Sequence, residues 1–297
     1  LDPVAAARWA ALPTRQANSP WLHEEVASRM MERLDYIRLQ PRSWAHWEPW
    51  RGGVQAHQAL LQRYPQAAVW LVAGQHQDAL QVHHRSRGPW WRWSRWAGPA
   101  VHCAVPPTAG VDMLWANMLL HQAADPQALI GDWYRALAVD GFLMFSCFGP
   151  DTVRELRELY AQKGWPAPAH EFTDMHDWGD MVVHAGFAEP VMDMERITLS
   201  FETPERLLAE LRELGRNLHV QRFPGLRGRR WRDALLQAIQ PLLLAPVLRL
   251  QREHAPIGHP NQRANRQNQN QRRAVEPLVV AQGLVQVDQR ADDHCAE

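Results

Sequence analysis

The chain has 297 residues and balances 32 Lys and Arg against 32 Asp and Glu, so it carries no whole-chain field that would hold nucleic acid or anionic lipid. An apolar fraction of 46% lies in the globular range, and at roughly 100–200 residues per domain the length allows one large domain, or one with an elaborated cap. No apolar run reaches the roughly 18–20 residues a bilayer needs, because the longest, Leu235 to Leu250, is interrupted by Pro241 and Pro246; a membrane span is therefore not expected. Cys103, Cys147 and Cys295 have no metal-type spacing and form no disulfide framework. With an N-terminus that lacks a basic start before an apolar stretch, they lead to the expectation of a cytoplasmic protein.

Residues 1–18 read as a flexible N-terminus. Ser19 to Leu39 predicts an amphipathic helix, with Ser19 as N-cap, Pro20 at the first helical position, and Leu22, Val26, Met30, Leu34 and Ile37 at spacings of three and four. Ser43 to Trp47 predicts a strand, EPWRGG a turn, and Val54 to Tyr64 a helix. Ala67 to Ala73 (AAVWLVA) is a continuous apolar run of the kind buried in parallel sheets. Gln75 to Gly98 reads as an irregular connection ending in the tryptophan-dense GPWWRWSRWAG, and Pro99 to Val105 as another short apolar run.

Val111 to Ala116 predicts a strand, Pro126 to Ala138 a helix capped by Asp125, and Phe142 to Phe148 a strand after the Asp140-Gly141 turn. Four strand-helix alternations imply an α/β fold with a doubly wound, mostly parallel, Rossmann-like sheet. Helices follow at Thr152 to Lys163 and Thr173 to Ala185, a late strand at Glu195 to Phe201, and helices at Pro204 to Leu214 and Arg230 to Leu250. The expected organisation is a body over 19–252 with a helical cap at about 204–250. Residues 253–297 are expected to form a disordered or aberrant tail, because 260–273 are almost entirely Asn, Gln and Arg. A change of reading frame near Arg252 to Gly258 is one account of that composition; a natural extension in which Pro277 to Val287 supplies a last strand is the other.

Ligands of open α/β sheets sit beyond the carboxyl ends of the strands, which directs attention to the loops after Trp47, Ala73, Val105, Asn117 and Phe148. The first loop offers Gly52 and Gly53 behind a bulky Glu48-Pro49-Trp50, and the second strand runs into Ala73-Gly74 with no acid. Trp115 reads as core, Cys147 as an inert buried thiol, and His121 as either a cavity residue or incidental. His83-His84 and Met175-His176-Asp177 lack a converging ligand set, so no metal site is predicted. Trp90, Trp91, Trp93 and Trp96 with Arg92 and Arg95 form a basic-aromatic stretch that reads as a packed or membrane-surface flap ahead of a nucleic-acid contact; no nucleic-acid partner is expected.

The segment VDMLWANMLLHQAADPQALIGDWYRALAVDGFLMFSCFGPDTVRELREL, Val111 to Leu159, resembles the fourth strand, helix and fifth strand of class I S-adenosylmethionine-dependent methyltransferases. With SPWLHEEVASRMMERL before the sheet and LRELGRNLH after it, the chain is similar in particular to the malonyl-acyl-carrier-protein O-methyltransferases of biotin synthesis, over about Ser19 to His219. The resemblance implies S-adenosylmethionine as cofactor and acyl carrier protein as partner. It departs from the family at the first loop, where HWEPWRGG replaces an acidic glycine-rich signature, and after the second and third strands, where acids are missing.

On that resemblance the cofactor would meet Trp47, Glu48, Gly52, Gly53, Ala73 and Asn117, with Glu48 standing in for the signature acid. Arg216, Asn217 and His219 would receive the malonyl group. No catalytic acid or base is assigned, since an ionised carboxylate needs alignment and desolvation more than proton transfer. The alternative is a catalytically inactive relative that serves as a binding or scaffold protein.

Overall fold

The computed structural model describes residues 1–12, 18–86, 100–244 and 277–286. Strands β1 (Ser43–Trp47), β2 (Ala68–Val72), β3 (Val101–His102), β4 (Val111–Ala116), β5 (Leu137–Phe148), β6 (Ala188–Thr198) and β7 (Pro277–Gln286) form one sheet in the order β3-β2-β1-β4-β5-β7-β6. The first five are parallel, and β7 runs antiparallel between β5 and β6. Helices are α1 (Pro3–Ala10), α2 (Trp21–Arg33), α3 (Pro49–Gly52), α4 (Val54–Arg63), α5 (His76–Ser86), α6 (Pro126–Ala136), α7 (Arg154–Gln162), α8 (Met175–His184), α9 (Pro204–Leu214) and α10 (Arg229–Leu244).

Alternation along the central strands feeds two apolar layers. Met113 and Trp115 of β4 with Phe142 and Met144 of β5 enter a core under α2 and α4, where Leu22, Val26, Met30 and Leu60 are fully buried. Their neighbours Leu114, Ala116, Leu143, Phe145 and Cys147 face a second core built on Ile130 and Trp133 of α6 and Trp178 and Val182 of α8. Burial raises the Cys147 thiol well above its ordinary range, which keeps it protonated and inert. A smaller cluster joins Leu159 and Tyr160 of α7 to Leu235 and Ile239 of α10, beside α9.

Several expectations change. Ser19 does not cap α2: Pro20 occupies that position without a side-chain bond, while Ser19 Oγ accepts the Val54 amide and donates to Glu24. The irregular connection after β2 begins as helix α5, whose buried face is only Asp78, Ala79 and Val82, too few apolar residues to signal a period. The tryptophan-arginine stretch lies outside the described residues.

Residues 1–18 are not uniformly free either. Asp2 caps α1 by accepting the Val4 and Ala5 amides, pairs with Arg222 at 2.6 Å, and donates its own amide to Leu218. The late strand starts at Ala188 rather than Glu195, on a sheet edge where Asp193 and Glu195 meet Arg33 and Arg29 of α2. The body expected to end at Arg252 gains β7 from within the segment assigned to a tail, because Pro277–Gln286 pairs with both β5 and β6. Thus the antiparallel hairpin is completed by the extension that the sequence left open, and neither β5 nor β6 lacks a partner on that side.

Candidate cofactor and substrate cavities

Two cavities open side by side at the carboxyl ends of the strands. The larger, about 290 Å³, is bordered by Glu48, Trp50, Arg51, Asn117, Met118, His23 of α2 and Trp9 of α1. The smaller, about 120 Å³, lies between α7, α9 and the 168–172 loop, with His121, Phe148, His170, Phe172 and Asn217 on its walls. Gln122, Leu214 and Arg216 border both.

The floor of the larger cavity is a set of hydrogen bonds that fix the first loop. Glu48 turns the chain with φ 53°, a left-handed conformation, and its amide donates to the Val72 carbonyl at 2.7 Å. Its carboxylate then crosses to the tip of β2, where Oε1 accepts the Gly74 amide at 2.6 Å. An acid therefore stands at the end of the second strand although the second strand encodes none. Burial raises the Glu48 pKa, the Gly74 bond opposing that shift.

Asn117 is wholly committed. Its amide nitrogen donates to the His23 carbonyl at 2.7 Å and to the Gly52 carbonyl, and its Oδ1 accepts from Ser146 at 2.6 Å. It thereby ties α2, the first loop, β4 and β5 together at the cavity wall. Gly52 and Gly53 serve the loop itself: a Cβ on Gly52 would meet the Asn117 carbonyl at 3.2 Å, and one on Gly53 the Glu24 carboxylate at 2.9 Å. Glu24 occupies the anion position at the start of α4, accepting the Gln55 and Ala56 amides at 3.0 and 3.1 Å. Gly53 has φ 127°, so Gly53→Ala is expected to lower stability by about 1–3 kcal/mol, read as a fall in the denaturant midpoint.

His23 contributes a feature that sequence reasoning missed. Its Nδ1 donates to the Arg51 carbonyl at 2.7 Å, so Nε2 carries the lone pair, and that buried acceptor has no partner among the described residues. Desolvation lowers its pKa to about 4, leaving a neutral ring at the cavity wall. Trp9 is the second omission. Its ring lies between Arg51 at 4.3 Å and Arg216 at 4.9 Å, and its Nε1 donates to Gln122. The Asp-Pro start of α1 was the available signal for it.

Of the other anticipated residues, Trp47 packs edge-on to Trp133 in the second core and Ala73 against the first, away from the cavity walls. Asn217 borders the smaller cavity and donates to the Ala167 carbonyl at 2.6 Å. His219 lies outside both cavities, its Nδ1 accepting the Gln221 amide at 2.9 Å. Arg216 reaches both, and desolvation lowers its pKa. His121 and His170 also have pKa values depressed by burial and are neutral rings, His170 Nε2 donating to the His121 carbonyl at 2.9 Å. Among the described residues no group of three or more His, Cys, Asp or Glu side chains is placed to hold a metal ion.

The acceptor set suits a cationic cofactor rich in donors. Glu48 and His23 Nε2, which has no hydrogen-bond partner among the described residues, offer acceptors to hydroxyl or ammonium groups, while the Trp9 and Trp50 rings are already covered by Arg51, Arg216 and Arg85. S-adenosylmethionine carries ribose hydroxyls and an ammonium group, so these acceptors fit it.

The strand order, with an antiparallel seventh strand inserted between the fifth and sixth and cavities at the parallel strand ends, defines a class I methyltransferase fold. The YcgJ protein of Bacillus subtilis shares this fold with a TM-score of 0.51 at 11% identity, over 88% of this chain and 99% of that one. Among curated proteins, the malonyl-[acyl-carrier protein] O-methyltransferase of Gallionella capsiferriformans is 36% identical over 237 residues, 74% of this chain and 77% of the relative. That of Laribacter hongkongensis is 36% identical over 70% of this chain and 72% of its own length. No family model matches the chain. The chain belongs to the malonyl-[acyl-carrier protein] O-methyltransferase family.

Proposed function

We propose that this protein is a cytoplasmic, S-adenosylmethionine-dependent O-methyltransferase that esterifies the free carboxylate of a malonyl group carried by acyl carrier protein, a step of biotin synthesis. The observation that carries the reading is the pair of adjoining cavities with Gln122, Leu214 and Arg216 on their shared border, in a chain 36% identical to proteins of that name. The larger would hold the cofactor, with Glu48 and His23 as acceptors; the smaller would hold the acyl group. The body over 19–252 plus β7 would be one unit, and α9 and α10 its cap.

Bound S-adenosylmethionine would supply an electrophilic methyl group. The chain's own residues must place a carboxylate oxygen opposite it and remove water. A carboxylate with an ordinary pKa near 4 is ionised at neutral pH, so no base is needed. Arg216, on the shared border, is placed to orient that charge. Phe148, Phe172, Leu156 and Leu211 make the smaller cavity apolar, and an anion stripped of its hydration there is a stronger nucleophile. Neutral His121 and His170 add polarity without fixed charge.

Incubation with malonyl-loaded carrier protein and methyl-labelled cofactor should give a base-labile label on the carrier, and the gene should support growth of a biotin-requiring strain that lacks this step. Absence of both, with no calorimetric response to millimolar cofactor, would favour the binding or scaffold reading instead. Arg216→Ala is expected to raise KM for the malonyl substrate roughly 10- to 150-fold, the range for losing a charged hydrogen bond. Because Arg216 also stacks on Trp9, the same change should weaken cofactor binding about 2- to 5-fold. His219→Ala should alter neither by more than about threefold. Steady-state kinetics and titration calorimetry measure all three.

A further inference from the structure

The wall formed by Arg216 and Asn217 continues directly into an unusual surface. Residues 216–232 contain six arginines, Arg216, Arg222, Arg227, Arg229, Arg230 and Arg232, and no Asp or Glu, in a chain whose total charge is balanced. Val220, Phe223 and Leu226 are exposed among them, Leu226 completely. Large apolar side chains on a solvated loop lose nothing on being covered and gain from it.

The segment is held in shape rather than dangling. Arg222 pairs with Asp2 at 2.6 Å, and the Arg227 guanidinium carbon lies over the Trp231 ring at 3.9 Å and the Phe223 ring at 4.6 Å. Trp231 in turn packs at a tilt against Trp165, centroids 5.8 Å apart, joining the loop to the segment that follows α7. Helix α7 supplies Leu156 to the smaller cavity, and α9 of the cap supplies Leu211. Thus a preformed, basic, apolar-centred surface begins three residues after Asn217, a wall residue of the cavity that would take the acyl group.

We propose that residues 220–232 are the docking surface for an acyl carrier protein that presents an acidic face, with Leu226 and Phe223 as apolar anchors and Arg229, Arg230 and Arg232 as the charged rim. The inference rests on the proposed function for the identity of the partner and on the surface for its location. Charge complementarity selects the occupant. A second copy of the chain meeting this surface about a two-fold axis would set arginines against arginines, whereas an acidic partner would gain both attraction and faster encounter. The position selects further, since a tethered acyl group must enter beside Asn217 while its carrier remains outside. An anionic bilayer or a nucleic acid would match the charge without using that position.

The experiment compares the full-length protein with the triple variant Arg229→Glu/Arg230→Glu/Arg232→Glu and with Leu226→Ala. All four side chains are exposed and lie outside both cavities. Binding of fluorescent malonyl-loaded carrier protein is followed by anisotropy at 50 and 300 mM salt. Turnover is measured on that substrate and on a short malonyl thioester without the carrier.

The expected result is at least a tenfold loss of carrier affinity in the triple variant, a loss of most of the wild-type salt dependence, and several-fold weakening in Leu226→Ala. Turnover of the short thioester should be unchanged in both. Unaltered carrier affinity in the triple variant would overturn the inference. So would equal loss on both substrates, conversion of a wild-type dimer to monomer in sedimentation, or anionic vesicles or single-stranded DNA displacing the carrier at lower concentration than the carrier itself binds. Charge-dependent carrier binding without any methylation would sustain the docking surface and refute the proposed reaction. Methylation of the short thioester with charge-independent carrier binding would do the reverse.

Discussion

Glu48→Gln is expected to weaken binding of S-adenosylmethionine roughly 10- to 150-fold, the equivalent of about 1.5–3 kcal/mol for a hydrogen bond to a charged group, while leaving the thermal midpoint within a few degrees. The reason for the split is that Glu48 does two things. Its Oε1 accepts the Gly74 amide at 2.6 Å, and a glutamine carbonyl can continue to do so. Its charge faces the larger cavity, and glutamine cannot supply that. Glu48→Ala removes both, leaving the Gly74 amide without its acceptor at a further cost of about 1–3 kcal/mol. Since burial raises the Glu48 pKa, cofactor affinity in the wild type should also strengthen as pH rises through that titration, and the glutamine variant should lack the dependence. Calorimetry across pH on the two proteins measures both effects. Equal cofactor affinity in wild type and Glu48→Gln would confine Glu48 to holding the strand tips.

The parts of this fold that the sequence discloses are those buried on both sides. The run VDMLWA gives β4 to the residue, and SWAHW gives β1, because a central parallel strand must be apolar on both faces and turn residues bound it. β6 is poorly disclosed for the opposite reason: its charges Asp193 and Glu195 satisfy arginines of α2, a contact between residues more than 150 apart in sequence. The site divides along the same line. Asn117 and Arg216 border cavities as their positions after β4 and α9 suggested. Glu48 reaches the second strand tip only because the chain turns through a left-handed conformation at that residue, and Glu24 caps α4 from another helix. Glu48 is legible in the sequence as a stand-in acid of the site, but its bond to Gly74 and the Glu24 cap are contacts between residues distant in sequence, with no local pattern. Asp2-Pro3 ahead of an alanine-rich stretch, by contrast, is a legible helix start.

Acidification from pH 6.5 to 5 is expected to destabilise the protein steeply, because its buried imidazoles cannot take up protons without unfolding. His46 and His57 are buried together with their Nδ1 atoms 3.3 Å apart, a spacing at which one ring donates and the other accepts, so both are neutral. Desolvation lowers His57 to about 3 and His23 to about 4, and holds His46 and His121 well below the usual value of 6.5. An unfolded chain binds these protons near pH 6.5 and the folded chain does not, so stability is complete above 6.5 and falls with pH until the folded values are reached. At one and a half units below the unfolded value, His57 and His23 each account for about 2 kcal/mol of that loss, against a total of about 5–15 kcal/mol for a typical domain. Urea midpoints at pH 7.5, 6.5, 5.5 and 5.0 should therefore drop progressively, with the largest changes below 6.5. In His46→Leu/His57→Leu, which replaces the pair by apolar side chains, the slope over that interval should shrink by roughly the contribution of two rings. A variant as steep as the wild type would assign the acid sensitivity to other groups, and a wild type whose midpoint does not move between pH 6.5 and 5 would mean that these rings are not held neutral in the folded state.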